Sequence, residues 1–185
     1  TLYSSTSYFQ YKMQPMGYEY DLINDFAKSQ GLKWNIKVAE NPARLIEMLE
    51  AGEADVVAYP IPINNKLKQE VIYCGREDIS SQVLIQRANK GDKLLTDVTQ
   101  LIDKNVYVKP NTKYSERLKN LDEELGGGIH IQKVENDSIA TEDLIEMVSL
   151  GEIPYTISDD NTARLNKTYY WNINVDLKVS FPQRS

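Results

Sequence analysis

The chain writes one short segment twice. Residues 45–60 read LIEMLEAGEADVVAYP, and residues 144–159 read LIEMVSLGEIPYTISD. Four letters recur in order, and a glycine, Gly52 or Gly151, follows seven residues after the first Leu in each. Four common helix formers recur cheaply by chance. The flanks, however, recur with them. Asn41 and Pro42 are a good cap and first helical residue ahead of Leu45, Ile46 and Leu49 on one helical face. Gly52 supplies the left-handed stop, and ADVVAYP follows as a β-rich run closed by Pro60. Upstream, WNIKV alternates, with Trp34, Ile36 and Val38 on one side. YEYDLINDFAKSQG carries Leu22, Ile23, Phe26 and Ala27 at helical spacing and ends at Gly31. TLYSSTS opens the chain as a first strand or the end of one.

The later copy has the same order. NVYVK is a strand, NTKYSERLKNLDEELGGG a helix with a glycine stop, and IHIQKV an alternating strand. Thr141 caps a helix bearing Leu144, Ile145 and Val148, and PYTISDD closes the unit. Two βαβαβ units in tandem predict an α/β protein of two lobes, each a small parallel sheet flanked by helices. The expected lobes are residues 1–87 with a return segment 177–185, and residues 88–176. VLIQR is read as a strand leaving lobe one, and NVDLKVSFPQRS as a strand returning to it. A returning strand normally leads to something that completes the first sheet, so a C-terminal truncation is expected.

Bulk properties narrow the partners. At 185 residues the chain can bury roughly 70% of its unfolded surface without staples. A net charge of −6 with scattered Lys and Arg disfavours nucleic acid and anionic membranes. No apolar run approaches the roughly 20 residues of a membrane span. No signal-peptide or lipid-anchor pattern opens the chain, which a mature or trimmed chain would share. Cys74 is the only cysteine, so neither an intrachain disulfide nor a thiolate metal cluster can form.

In open parallel sheets, ligands sit beyond the carboxyl ends of the strands. Here those ends are 5–8 and 59–64 in lobe one, and 109–114 and 158–160 in lobe two. Facing lobes would gather them into one cleft. Pro110-Asn111 is a turn, and Thr112, Lys113 and Tyr114 open a helix whose first N–H groups attract an anion, or simply form an ordinary capped start. Asp159 ends a strand where a carboxylate can hold an ammonium group, or it caps the next helix, as Asp160 could equally do. Four tyrosines fall within the stretch from Tyr8 to Tyr20, either for stacking on a ligand or for packing.

Catalytic and cofactor patterns are thin. His130, the only His, lies inside an alternating strand. No catalytic triad or metal set assembles. ELGGGI lacks both dinucleotide and P-loop spacing and reads as a turn, so no cofactor is expected. Glu47, Glu53, Glu146 and Glu152 read as helix surface or helix ends.

The ordered set MGYEYDLINDFAKSQGLK, LIEMLEAGEADVVAYPIPI, VYVKPNTKYSERL and LIEMVSLGEIPYTISDD resembles the extracellular solute-binding proteins of family 3, which have the type II periplasmic-binding fold. PMGYEYDL, VLIQR, GEIPYTISDD and VSFPQRS further resemble the sensor modules of membrane-bound lytic murein transglycosylases. The resemblance covers nearly the whole chain. It implies a periplasmic, hinge-closing binder of amino acids or cell-wall stem peptides, associated with the outer membrane in its full-length form. The lysozyme-like catalytic domain would follow in the same polypeptide beyond Ser185, so this chain is itself expected to be non-catalytic.

By the same resemblance, Asp159 holds the ligand's ammonium, and Asn111, Thr112 and Lys113 lie on the loop that receives its carboxylate. Tyr8 and Phe9 fall in the aromatic first loop. Tyr59, Pro60, Ile61 and Asn64 belong to the contacting segment of lobe one. Three departures stand out. Leu67 occupies the position of the family's carboxylate-clamping Arg, with Lys66 and Lys68 beside it but unable to form a bidentate fork. Asn111 stands where the family usually has Gly, and Lys113 where a small hydroxyl residue is common. A peptide-like ligand and a site that binds nothing both remain open. So do two other functions: a free-standing binding protein of a transporter, and a hydrolase using a carboxylate pair.

Overall fold

The computed structural model describes every residue except 5, 64, 65, 76, 78, 137 and 185. The chain divides into two compact units, Thr1–Cys74 and Gly75–Ser185.

The first unit opens with a hairpin, β1 (Phe9–Tyr11) and β2 (Gln14–Met16), paired antiparallel. Its tight turn places Lys12 and Met13 at positive φ. Gly17 then leads into α1 (Tyr18–Ser29). At φ 134° a Cβ on Gly17 would lie 2.3 Å from the Ser7 carbonyl oxygen, so only glycine fits. That close approach lets Tyr18 N–H donate to Thr6 O and Tyr20 N–H to Ser7 O, satisfying helix-start donors. α2 (Pro42–Glu50) starts as expected, with Asn41 Oδ1 accepting from Arg44 N at 2.9 Å. A short α3 (Leu67–Glu70) follows.

The parallel sheet expected in lobe one is not formed as a ladder among the described residues. Thr1 donates to Lys37 O and accepts from Ala39 N, which is a single parallel bridge about Val38. The run 54–61 has no assigned strand. Its alternation nevertheless turns Val57, Tyr59 and Ile61 onto a small core of Leu2, Ala39, Leu45 and Met48. The side-chain pattern of a strand is present, without a ladder among the described residues.

The second unit contains β3 (Ile79–Ser80), β4 (Gln82–Arg87), a 3₁₀ turn (Val98–Leu101) and β5 (Asn105–Val108). There follow α4 (Lys113–Glu124), β6 (His130–Lys133), α5 (Thr141–Leu150), β7 (Tyr155–Asp159), α6 (Asp160–Lys167), β8 (Ile173–Asn174) and β9 (Gln183–Arg184). The main sheet runs β6-β5-β7-β4-β8, and β3 pairs with β9. β5 is parallel to both neighbours, as the βαβαβ reading requires, whereas β4 is antiparallel to β7 and β8. The sheet is therefore mixed rather than purely parallel.

β4 also moves the division between units. The expected break at 87/88 lies instead at 74/75, because β4 is an interior strand of the second unit. Leu84 faces the core beneath α4, with Val106, Val108, Leu118, Leu121 and Ile157. Val83 and Ile85 face the opposite core, with Leu144, Ile145 and Val148 of α5. A strand buried on both faces stays with the sheet that buries it, since each such side chain contributes roughly 1.5–3 kcal/mol. The return segment expected in lobe one belongs to the second unit as well. Leu84 N–H donates to Leu177 O, and Val179 N–H to Gln82 O.

Candidate functional site

β5 and β7 run side by side in the same direction, with Tyr107 opposite Thr156 and the Thr156 hydroxyl donating to Tyr107 O at 2.7 Å. Their carboxyl ends therefore reach one edge of the sheet. The loop after Val108 and the end of β7 at Asp159 meet there. Asn111 takes the left-handed conformation (φ 56°) that its side chain tolerates, and turns the chain into α4.

Thr112 caps that helix. Its hydroxyl donates to Lys109 O at 2.8 Å and accepts from Ser115 N, while Ser115 Oγ accepts from Thr112 N. The hydroxyl proton expected to meet a ligand carboxylate is thus engaged with the chain itself. Asp159 heads α6 but makes no side-chain cap. Its Oδ2 lies 2.6 Å from Lys113 Nζ and accepts from the Tyr114 hydroxyl at 3.1 Å. The side chains of Lys113 and Asp159 are 20% and 18% exposed, so the pair is shielded yet reachable. The local turn role falls to Asp160, whose Oδ1 accepts from Asn161 N at 3.0 Å.

The structure thus brings Asn111, Thr112, Lys113 and Asp159 to one strand edge. Sequence reasoning marked Lys113 and Asp159 separately and missed that they pair. It also missed Tyr114 as the second partner of the carboxylate. The signal for both was the parallel register of NVYV and YTISD, which fixes which loop follows which strand end.

In the first unit, Tyr8 is a buried core ring. It stacks on Tyr3 at 5.4 Å and meets Tyr20 at 5.9 Å, and Tyr20 in turn meets Trp34 at 5.3 Å. Phe9 is half-buried on β1, Tyr59 and Ile61 pack on the small core, and Pro60 is exposed. Leu67 begins α3, with Lys66 and Lys68 exposed. Asn64 lies outside the described residues.

A depression of about 340 Å³ lies at the other end of β7, lined by Arg87, Asp92, Gly151 and Tyr155 among others. Arg87 and Asp92 pair with each other there. Arg87 Nε donates to Asp92 Oδ2 at 2.9 Å. Hydrogen bonds from Arg87 and then from the Asn89 N–H hold the Asp92 carboxyl below its usual range. Burial, with Asp92 nearby, pushes the Tyr155 hydroxyl up. In the first unit, burial raises the Glu19 carboxyl. Among the described residues no group of three or more His, Cys, Asp or Glu could hold a metal ion. No described helix is long and apolar enough to cross a membrane.

Solved structures with this architecture include an arginine-binding protein and a putative L-cystine ABC transporter protein. The arginine-bound form of truncated ArgBP from T. maritima superposes with a TM-score of 0.79 at 19% identity, covering 98% of this chain and 81% of that one. A putative L-cystine ABC transporter protein from Listeria monocytogenes gives 0.76 at 18% identity, covering 97% and 77%. The fold is therefore that of the type II periplasmic binding proteins. Residues 2–168 match the bacterial extracellular solute-binding proteins, family 3, and the chain belongs to that family. It is also similar to membrane-bound lytic murein transglycosylase F. The protein from Desulfosudis oleivorans is 32% identical over 183 residues, which are 97% of this chain and 37% of that protein. The one from Pseudomonas fluorescens (strain Pf0-1) is 27% identical, over 93% and 35%. The chain thus spans little more than a third of the length of these relatives.

Proposed function

We propose that this chain is the ligand-sensing module of a periplasmic lytic murein transglycosylase, and that it binds a free amino acid or the amino-terminal residue of a cell-wall stem peptide. The Lys113–Asp159 ion pair carries this reading. An ammonium and a carboxylate held together at the carboxyl edge of parallel strands offer a zwitterion its two complements. Without a ligand the two charges neutralise each other. A zwitterion exchanges for that contact, its ammonium going to Asp159 and its carboxylate to Lys113. Lys113 thereby takes over the anion-binding task that Leu67 cannot perform.

The similarity to transglycosylase F supports a role in regulation rather than carriage: binding shifts a conformational equilibrium that a downstream catalytic domain reads. A lysozyme-like domain encoded after Ser185 is required by this reading, and a short closing segment there would favour a transporter's carrier instead.

Calorimetric titration of free amino acids and stem-peptide fragments tests the site. The expected result is saturable binding that Asp159→Asn weakens about a hundredfold or more, as for loss of a charge-assisted partner. Unchanged affinity in Asp159→Asn would remove the ion pair from the site.

A further inference from the structure

Gln82 stands directly opposite Asp159 in the β4–β7 ladder. Its backbone N–H donates to Ser180 Oγ and its carbonyl accepts from Val179 N, so both point away from β7. Gln82 and Asp159 are therefore a non-hydrogen-bonded pair, the kind whose Cα atoms approach to about 4.5 Å and whose side chains lie closest. Both side chains project to one face of the sheet, because Leu84 and Ile157, two residues along each strand, share one core cluster.

The Gln82 side chain is only 1% exposed. Its Nε2 donates to Gln183 Oε1 at 3.4 Å, on the edge of β4 remote from β7. Its Oε1 is buried without a hydrogen-bond partner among the described residues. A buried, unsatisfied acceptor beside a carboxylate is costly unless a donor enters between them.

Resting on the proposed role of Asp159, we infer that Gln82 Oε1 is a second acceptor for the ligand's ammonium, so that the site selects primary amines over N-acylated ones. A primary ammonium has three N–H bonds, enough to reach the Asp159 carboxylate and the Gln82 amide oxygen at once. An N-acylated amine has a single N–H and no charge, and leaves one of the two acceptors unmet.

The test uses the full chain and calorimetry with L-arginine, L-glutamine and L-alanyl-D-glutamate, each beside its N-acetyl derivative. Gln82→Met should weaken the free amines about ten- to a hundredfold and leave the N-acetyl forms unmoved. It should not lower the melting temperature of the unliganded chain, because it removes an unsatisfied acceptor. Gln82→Glu, which keeps an acceptor, should retain the preference for free amines.

Equal loss for free and acetylated probes in Gln82→Met, or a lowered melting temperature with an unchanged preference, would make Gln82 a packing residue and overturn the inference. If Asp159→Asn abolishes free-amine binding while Gln82→Met does not, only the inference fails. If no probe binds the unaltered chain, or Asp159→Asn binds normally, the underlying reading fails with it.

Discussion

The two copies of LIEM end alike and pack differently. In α2, Gly52 N–H donates to Leu49 O and Glu53 N–H to Met48 O. In α5, Gly151 N–H donates to Val148 O and Glu152 N–H to Met147 O. The same paired closure, with glycine in the left-handed region, stops both helices. Yet α2 buries Leu45 and Met48, whereas α5 buries Leu144, Ile145 and Val148 and leaves Met147 half-exposed. The buried stripe is rotated by about one residue between copies. Helix termination is thus a local property that the letters carry, while the buried face is chosen by what the helix lies on. α2 lies on a core of four buried residues, and α5 lies on one of nine backed by a five-stranded sheet.

The sharpest way to break this contrast is to truncate matching leucines. Leu144→Ala, at a site with no exposure, should cost about 4 kcal/mol, and Leu45→Ala about 2, because the smaller core collapses more readily around the gap. Chemical denaturation measures both, and equal losses would show that the two cores are equivalent.

A smaller effect separates the helix starts. Asn41→Ala should cost about 1 kcal/mol through the lost bond to Arg44 N. Thr141→Ala should cost almost nothing, because the helix start there is served by Asp143 Oδ2, which accepts from Ala140 N at 2.6 Å. Asp143→Ala should show the loss of about 1 kcal/mol that Thr141→Ala lacks.

What the sequence made legible follows the same division between local and non-local. The helix stops at Gly31, Gly52 and Gly151, the Asn41 cap, and the strands NVYV and YTISD are encoded within a few residues and were readable. The Thr141 cap was not, because Asp143, two residues on, serves the helix start at Ala140 instead. The run VLIQR announced a buried strand, but a continuous apolar run carries no information about partner or direction. Its membership in the second unit and its antiparallel pairing therefore needed coordinates. Lobe one's strands were legible as alternation, which fixes side-chain faces; a ladder depends on neighbours that the letters do not specify. Lys113 and Asp159 were each visible as charged residues at element ends. Their contact, 46 residues apart in the chain, comes from two parallel strands ending together. Gln82 gave no signal at all, since a glutamine beginning an apolar strand is ordinarily an exposed strand end.

The most direct test of the account is a crystal structure of the chain grown with L-arginine or L-alanyl-D-glutamate. The account predicts the ligand's ammonium against the Asp159 carboxylate, at roughly 2.7–2.9 Å, and its carboxylate on a Lys113 ammonium that has left Asp159. A bound ligand with the Lys113–Asp159 contact still closed and the amine elsewhere would contradict it.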